Sequence, residues 1–194
     1  MSAARPNFVV GIGGSAGALN AYRAFLDAMP PDTGMAIVIV SHLLPAANTQ
    51  LAEILGRRTK MPVGLASTAM PLRANHVYVI PPDADLLIEN GVFRVVSPRT
   101  RRNTQVDVFF SSLAKAMGPH AIGVIMSGYD GDGTEGCKKI KEGGGMTFAQ
   151  DLSAEVDGMP VSAQAAGCID LVLPPDKIAM ELQTFVRAST KRRR

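Results

Sequence analysis

The chain has 194 residues, 46% hydrophobic and 19% charged, which excludes disordered and fibrous classes and is long enough to bury a substantial core. Net charge is +3, but four of the 20 basic residues stand in the terminal KRRR, so the body is close to neutral; the basic end alone offers contact with nucleic acid or an acidic partner, and a solvated terminus is the favoured reading, with no nucleic-acid partner expected. No apolar run approaches the roughly 20 residues that span a bilayer, and the N-terminal apolar stretch is too short for a signal peptide, so the expected setting is the cytoplasm.

In chain order, NFVVGI predicts a buried strand. AGALNAYRAFLDAM predicts an amphipathic helix with Leu19, Tyr22, Phe25, Leu26 and Met29 on one side, and MAIVIV a second buried strand, which completes a βαβ unit. NTQLAEILGRRT reads as a helix capped by Asn48 and ending near Gly56. NHVYVIPP is a strand stopped by two prolines, and DLLIENGVFRVV carries the Asn-Gly signal of a two-residue hairpin. After the basic loop RTRRNTQ, Asp107 is placed to cap the helix VFFSSLAKAM. Strand AIGVIM, loop SGYDGDGTEG and helix CKKIKE follow, then a strand in GGGMTFAQ, a small helix at SAQAAG, the strand in CIDLVLPP and a last helix DKIAMELQTFVRAS. Strands without polar alternation suit a sheet covered on both faces. The expected fold is α/β: one domain over residues 1–194 with a doubly wound, mostly parallel sheet flanked by helices and a β-hairpin insertion. Residues 187–194 read as a solvated basic tail, and Cys137 and Cys168 as reduced structural thiols.

Ligands of such sheets bind beyond the carboxyl ends of the strands. Ser15 follows the first strand, His42 the second, and Asp130 and Asp132 the strand at residues 121–126. Neighbouring parallel strands lie about 4.8 Å apart, so Ser15 and His42 are expected to meet. A serine hydroxyl becomes a competent nucleophile when an imidazole takes its proton, and a carboxylate must orient that imidazole; either aspartate has the chemistry. Gly13, Gly14 and Gly17 are expected to permit a tight strand-to-helix turn, with the Ala16 N–H aimed at an oxyanion. Two rivals fit less well. Gly11, Gly13 and Ala16 match a dinucleotide fingerprint, but Ser41 and His42 stand where a ribose-binding acid belongs. DGDGT invites a magnesium-dependent phosphatase reading, but no further convergent acids stand out. Neither a cofactor nor a metal is expected. His76 and His120 stand at strand starts, the wrong edge for chemistry.

From VVGIGGSAGAL, VIVSHLLP, HVYVIPPDADL, VDVFFSSLA, AIGVIMSGYDGDGTEG, GGMTFAQD, DGMPVSA and LVLPP, in that order, the chain resembles the CheB-type protein-glutamate methylesterase catalytic domain over roughly residues 7–186. The resemblance implies a serine esterase that converts glutamate γ-methyl esters on chemoreceptor signalling helices, or on a related signalling protein, to glutamate and methanol, with glutamine deamidation in some relatives. It implies Ser15 as nucleophile, His42 as general base, Asp132 as its orienting carboxylate, and Ala16 and Tyr129 beside the oxyanion site. Three departures stand out: Ala16 where threonine is frequent, Asp130 where glycine is usual, and no proline before Asp107. Six residues precede the first strand, and no receiver domain is expected. Constitutive activity, a separate regulatory partner and a different signalling system all fit that arrangement. The rival from another class is a non-catalytic signalling or ligand-binding module that keeps the fold.

Overall fold

The computed structural model describes residues 4–42 and 45–191. Apolar runs and glycine punctuation yield, in order, β1 (Phe8–Gly14), α1 (Ala18–Ala28), β2 (Met35–Ser41), α2 (Pro45–Gly56), β3 (Val63–Leu65), β4 (His76–Val79), β5 (Asp85–Glu89), β6 (Val92–Val96) and α3 (Gln105–Met117). Then come β7 (Ala121–Ile125), α4 (Thr134–Glu142), β8 (Met146–Gln150), α5 (Gly158–Ala165), β9 (Leu171–Leu173) and α6 (Pro175–Lys191). Seven strands pair in parallel in the order β3-β4-β2-β1-β7-β8-β9, while β5 and β6 form a separate antiparallel hairpin. The chain fills one side of β1 with β2, β3 and β4, β4 lying between β2 and β3, and then returns to the other side of β1 at β7. β1 therefore marks the switch point where ligands of open α/β sheets bind. The doubly wound sheet with a hairpin insertion is the expected architecture.

Strand residues alternate between two cores. Val10, Ile12, Ile37, Ile39, Val77 and Val79 pack with Tyr22, Phe25 and Leu26 of α1 and with Ile178 and Leu182 of α6. On the other face Val9, Val38 and Val40 pack with Val106, Phe109, Phe110 and Leu113 of α3. The unalternating apolar runs are thus explained by burial on both sides. The hairpin turns at Asn90 and Gly91, whose φ angles of 52° and 78° are those a two-residue primed turn requires. It leans on α3, where the Ser112 hydroxyl accepts the Ile88 N–H at 3.1 Å.

Several local expectations shift. Gly13 and Gly14 lie inside β1 rather than in the turn, and of the three glycines only Gly17, with φ 73°, is left-handed. Gly11 and Gly13 instead let α3 approach: a Cβ at Gly11 would stand 2.8 Å from Phe110, and one at Gly13 would collide with Val106. α3 starts at Gln105, so Asp107 lies in its first turn, and its carboxylate accepts the Gly136 N–H in α4 at 2.8 Å. It caps the neighbouring helix, not its own. α2 starts at Pro45, which places Asn48 inside the helix. β3 is a three-residue edge strand that the sequence pattern does not reveal. α6 continues to Lys191, so much of the stretch read as a tail is helical, and residues 192–194 lie outside those described. Among the described residues no helix is long and apolar enough to cross a membrane.

Candidate active site

The register of β1 on β2 pairs Gly14 with Ser41, so the next residue on each strand, Ser15 and His42, leaves the sheet at the same level. Adjacent parallel strands lie about 4.8 Å apart, so the two chains leave the sheet side by side. Asp132 comes from the other flank of β1, on the loop after β7. His42 Nε2 stands 2.5 Å from Asp132 Oδ2, with the imidazole 5% exposed and the carboxylate fully buried.

α3 explains the position of Asp132. Its two carboxylate oxygens accept the Val106 N–H at 2.9 Å and the Asp107 N–H at 2.8 Å. These are orphan donors of the first helical turn, where the aligned peptide dipoles also favour negative charge. Val106 reaches this spot because Gly13 has no side chain. A glycine in β1, the start of α3 and the imidazole of His42 thus form one connected arrangement.

Asp130 touches the other side of the ring, with Oδ2 3.6 Å from His42 Nδ1 and a side chain 32% exposed. Its Oδ1 accepts the Asp132 N–H at 3.0 Å. The two aspartates that sequence chemistry leaves equivalent occupy different environments: Asp132 lies inside, on Nε2, and Asp130 at the rim, facing Nδ1.

The Ser15 turn is fixed through its backbone. The Ser15 N–H donates to the Ser127 carbonyl at 2.8 Å, and the Ala18 N–H closes on the Ser15 carbonyl at 3.2 Å. Buried Ser127 also donates its hydroxyl to the Ala16 carbonyl at 2.7 Å and accepts the Val156 N–H at 2.9 Å. Gly128 packs against Ser15, since a Cβ there would meet that of Ser15 at 3.1 Å. Among the described residues the Ser15 hydroxyl makes no hydrogen bond, so the expected bond to His42 is not formed in this structure. Hydrogen bonds of this kind often tighten only when substrate is bound. The Ala16 N–H, beside the start of α1, likewise has no acceptor among the described residues. Tyr129 is 77% exposed, and its carbonyl packs against Gly158 of α5.

Sequence reasoning missed Ser127 and the helix-end grip on Asp132. For Ser127 the available signal was its place as an early polar residue after β7; for the grip there was none, because it needs α3 laid across β1. His76, whose Nδ1 lies 2.9 Å from the Ala74 carbonyl, and His120 stand at the opposite edge of the sheet. Among the described residues no three His, Cys, Asp or Glu side chains are grouped to share a metal ion.

Asp107 supplies the electrostatic anomaly. Burial pushes its carboxyl up to about 6, the charges of Asp132 and Glu135 add to this, and the Gly136 and Gly133 N–H groups oppose it. It also lines a groove of about 930 Å³ between the hairpin and α3, which Ser15, His42 and Asp132 do not line.

Residues 10–182 match the family described as CheB methylesterase. The chain is 37% identical over 180 residues to a putative protein-glutamate methylesterase/protein-glutamine glutaminase of Leptospira interrogans, covering 91% of this chain and 92% of that protein. It is 36% identical over 188 residues to a protein-glutamate methylesterase/protein-glutamine glutaminase of Anaeromyxobacter dehalogenans, covering 95% of this chain and 55% of that longer relative. The crystal structure of the Thermotoga maritima CheB methylesterase catalytic domain superposes with a TM-score of 0.85 at 29% identity, over 92% of this chain and 98% of that one.

Proposed function

Because this chain belongs to the CheB methylesterase family, and so to the carboxylic ester hydrolases, we propose that it hydrolyses glutamate γ-methyl esters on chemoreceptor signalling helices to glutamate and methanol. The names of its relatives extend the reading to glutamine side chains, where ammonia would leave in place of methanol. Its partners would be those receptor helices or a related signalling protein, with control by a separate regulatory protein one arrangement that fits.

The observation that supports this reading best is the pair His42 Nε2 and Asp132 Oδ2 at 2.5 Å, beside the Ser15 turn. With Nε2 committed to a buried carboxylate, Nδ1 is the nitrogen left to act as base. In the proposed sequence the Ser15 hydroxyl passes its proton to Nδ1 as Oγ bonds to the ester carbonyl carbon, and the Ala16 N–H receives the oxyanion. The C–OCH3 bond then breaks and the methoxy oxygen takes the proton from Nδ1, leaving as methanol. Water repeats the cycle on the acyl-serine, giving one proton to Nδ1 and its oxygen to the carbonyl carbon. Release of Ser15 takes that proton from Nδ1 and restores the hydroxyl, and the carboxylic acid left behind gives its remaining proton to the imidazole or to water, freeing glutamate. Asp132 keeps the ring oriented and balances its positive charge throughout.

A fluorophosphonate probe is expected to label Ser15 covalently, with labelling lost in Ser15→Ala and reduced by orders of magnitude in His42→Ala. Methylated receptor fragments should release methanol with wild-type protein. Folded wild-type protein that neither labels nor releases methanol would refute the esterase reading.

A further inference from the structure

We propose that Asp130 is a specificity-determining residue: it occupies the one side of the His42 imidazole open to a carboxylate, and so favours the neutral ester over the charged product. This deepens the esterase reading and rests on it.

The two ring nitrogens of His42 face two carboxylates that differ in burial. Asp132 is fully buried and held by the Val106 and Asp107 N–H groups, so it stays on Nε2. Asp130 stands at the rim, one third exposed, with Oδ2 3.6 Å from Nδ1, which is looser than a hydrogen bond. The proton transfers to and from Nδ1 therefore take place on the side of the ring where Asp130 stands, and the reacting ester must lie close by. The Asp130 carboxylate is not free to swing away, because its other oxygen accepts the Asp132 N–H at 3.0 Å. Among the described residues no lysine or arginine forms an ion pair with it, so its charge acts on the mouth of the site without a lysine or arginine beside it.

Hydrolysis changes one property of the bound side chain above all: an uncharged ester becomes a carboxylate. In a site without Asp130, a protonated imidazole would hold that new anion as its counter-ion. Here the counter-ion is already in place at Nδ1. A second carboxylate within a few ångströms meets like charge in a partly desolvated setting, where repulsion on the order of a tenfold change in affinity is expected. The ester and the glutamine amide carry no charge and escape this penalty. Asp130 thus sorts ligands by charge at the reacting carbonyl, and it speeds departure of the acid.

The test compares a receptor-derived peptide carrying the γ-methyl ester with the same peptide carrying glutamate. Initial rates of methanol release give KM for the ester, and inhibition by the glutamate peptide gives Ki. In Asp130→Asn, which keeps the oxygen that accepts the Asp132 N–H but loses the charge, the ratio Ki/KM is expected to fall about tenfold. Asp130→Glu should retain most of the wild-type ratio, and 0.5 M salt should lower the wild-type ratio toward that of Asp130→Asn. A ratio in Asp130→Asn within twofold of wild type, or an equal fall in Asp130→Glu, would overturn the proposal. Calorimetric titration of the glutamate peptide into wild type and Asp130→Asn reads the same exclusion without turnover. If wild type releases no methanol, the esterase reading fails, while tighter binding by Asp130→Asn would still uphold charge exclusion and equal binding would sink it. If wild type turns over but the ratio does not move, the esterase reading stands and Asp130 has no such role.

Discussion

Asp132 reaches His42 across the end of β1, from the loop after β7 to the residue after β2, and closes on Nε2 at 2.5 Å while both its oxygens accept N–H groups from the first turn of α3. An asparagine would keep an acceptor for that turn but would lose the charge that balances a protonated ring and the acceptor that fixes its tautomer. Asp132→Asn is therefore expected to lower kcat by about 10³- to 10⁴-fold, the range seen when an orienting carboxylate of this kind is neutralised. A loss under tenfold, measured by methanol release, would remove Asp132 from that role.

Ser127 holds the Ser15 turn from beneath. Ser127→Ala leaves the Val156 N–H and the Ala16 carbonyl without the hydroxyl that joins them. Burial of unmade hydrogen bonds costs about 1–3 kcal/mol, which urea denaturation would read as a lower midpoint. Since the same hydroxyl sets the Ala16 peptide, kcat should fall more than KM changes. A variant of wild-type stability and wild-type kcat would contradict both parts.

Gly11 sets how closely α3 lies on β1. A methyl group in Gly11→Ala would meet Phe110 at 2.8 Å, Phe109 at 3.0 Å and Leu113 at 3.1 Å, with no open space to receive it. Overpacking of this kind costs about 1–3 kcal/mol. Because α3 also carries the donors that hold Asp132, activity of the folded fraction should fall with stability. An unchanged thermal midpoint would show that α3 can lift from the sheet at little cost.

Asp107 gives stability a pH dependence of definite sign. Burial raises its folded value to about 6, above the ordinary 3.8, so the folded chain binds the proton more tightly than the unfolded one. Its contribution is fully present below pH ~3.8 and is lost as pH rises through ~6. Measured as a difference from Asp107→Asn, wild-type stability should thus decline between pH 4 and 7 and run level above. A difference curve that rises across that interval would refute the assignment.

Much of this was legible because the informative signals were local. The apolar runs of β1, β2 and β7 needed no partner to be recognised, and Asn90-Gly91 specified its own turn. Placing Ser15 and His42 at one edge required only the handedness of a βαβ unit. What stayed hidden depends on packing between distant segments. β3 is three residues long and half-exposed, so it carries no periodic pattern. Asp107 has the composition of a cap for α3, yet turns to Gly136 because α4 lies alongside. The glycines of β1 look like a turn signal in isolation, and only with α3 in place do Gly11 and Gly13 become points of helix contact. Composition likewise could not separate Asp130 from Asp132, which differ in burial and in which ring nitrogen they face.

The in-step pairing of Gly14 with Ser41 carries a last consequence. Successive side chains on a strand point to opposite sides, so sliding β2 by a single position would send the imidazole toward the wrong layer of helices, however intact the two loops remained. The hydrogen-bond ladder between these two strands is therefore the alignment gauge of the molecule. Damage far down that ladder, many residues from any reacting atom, would misplace one half of the chemistry relative to the other.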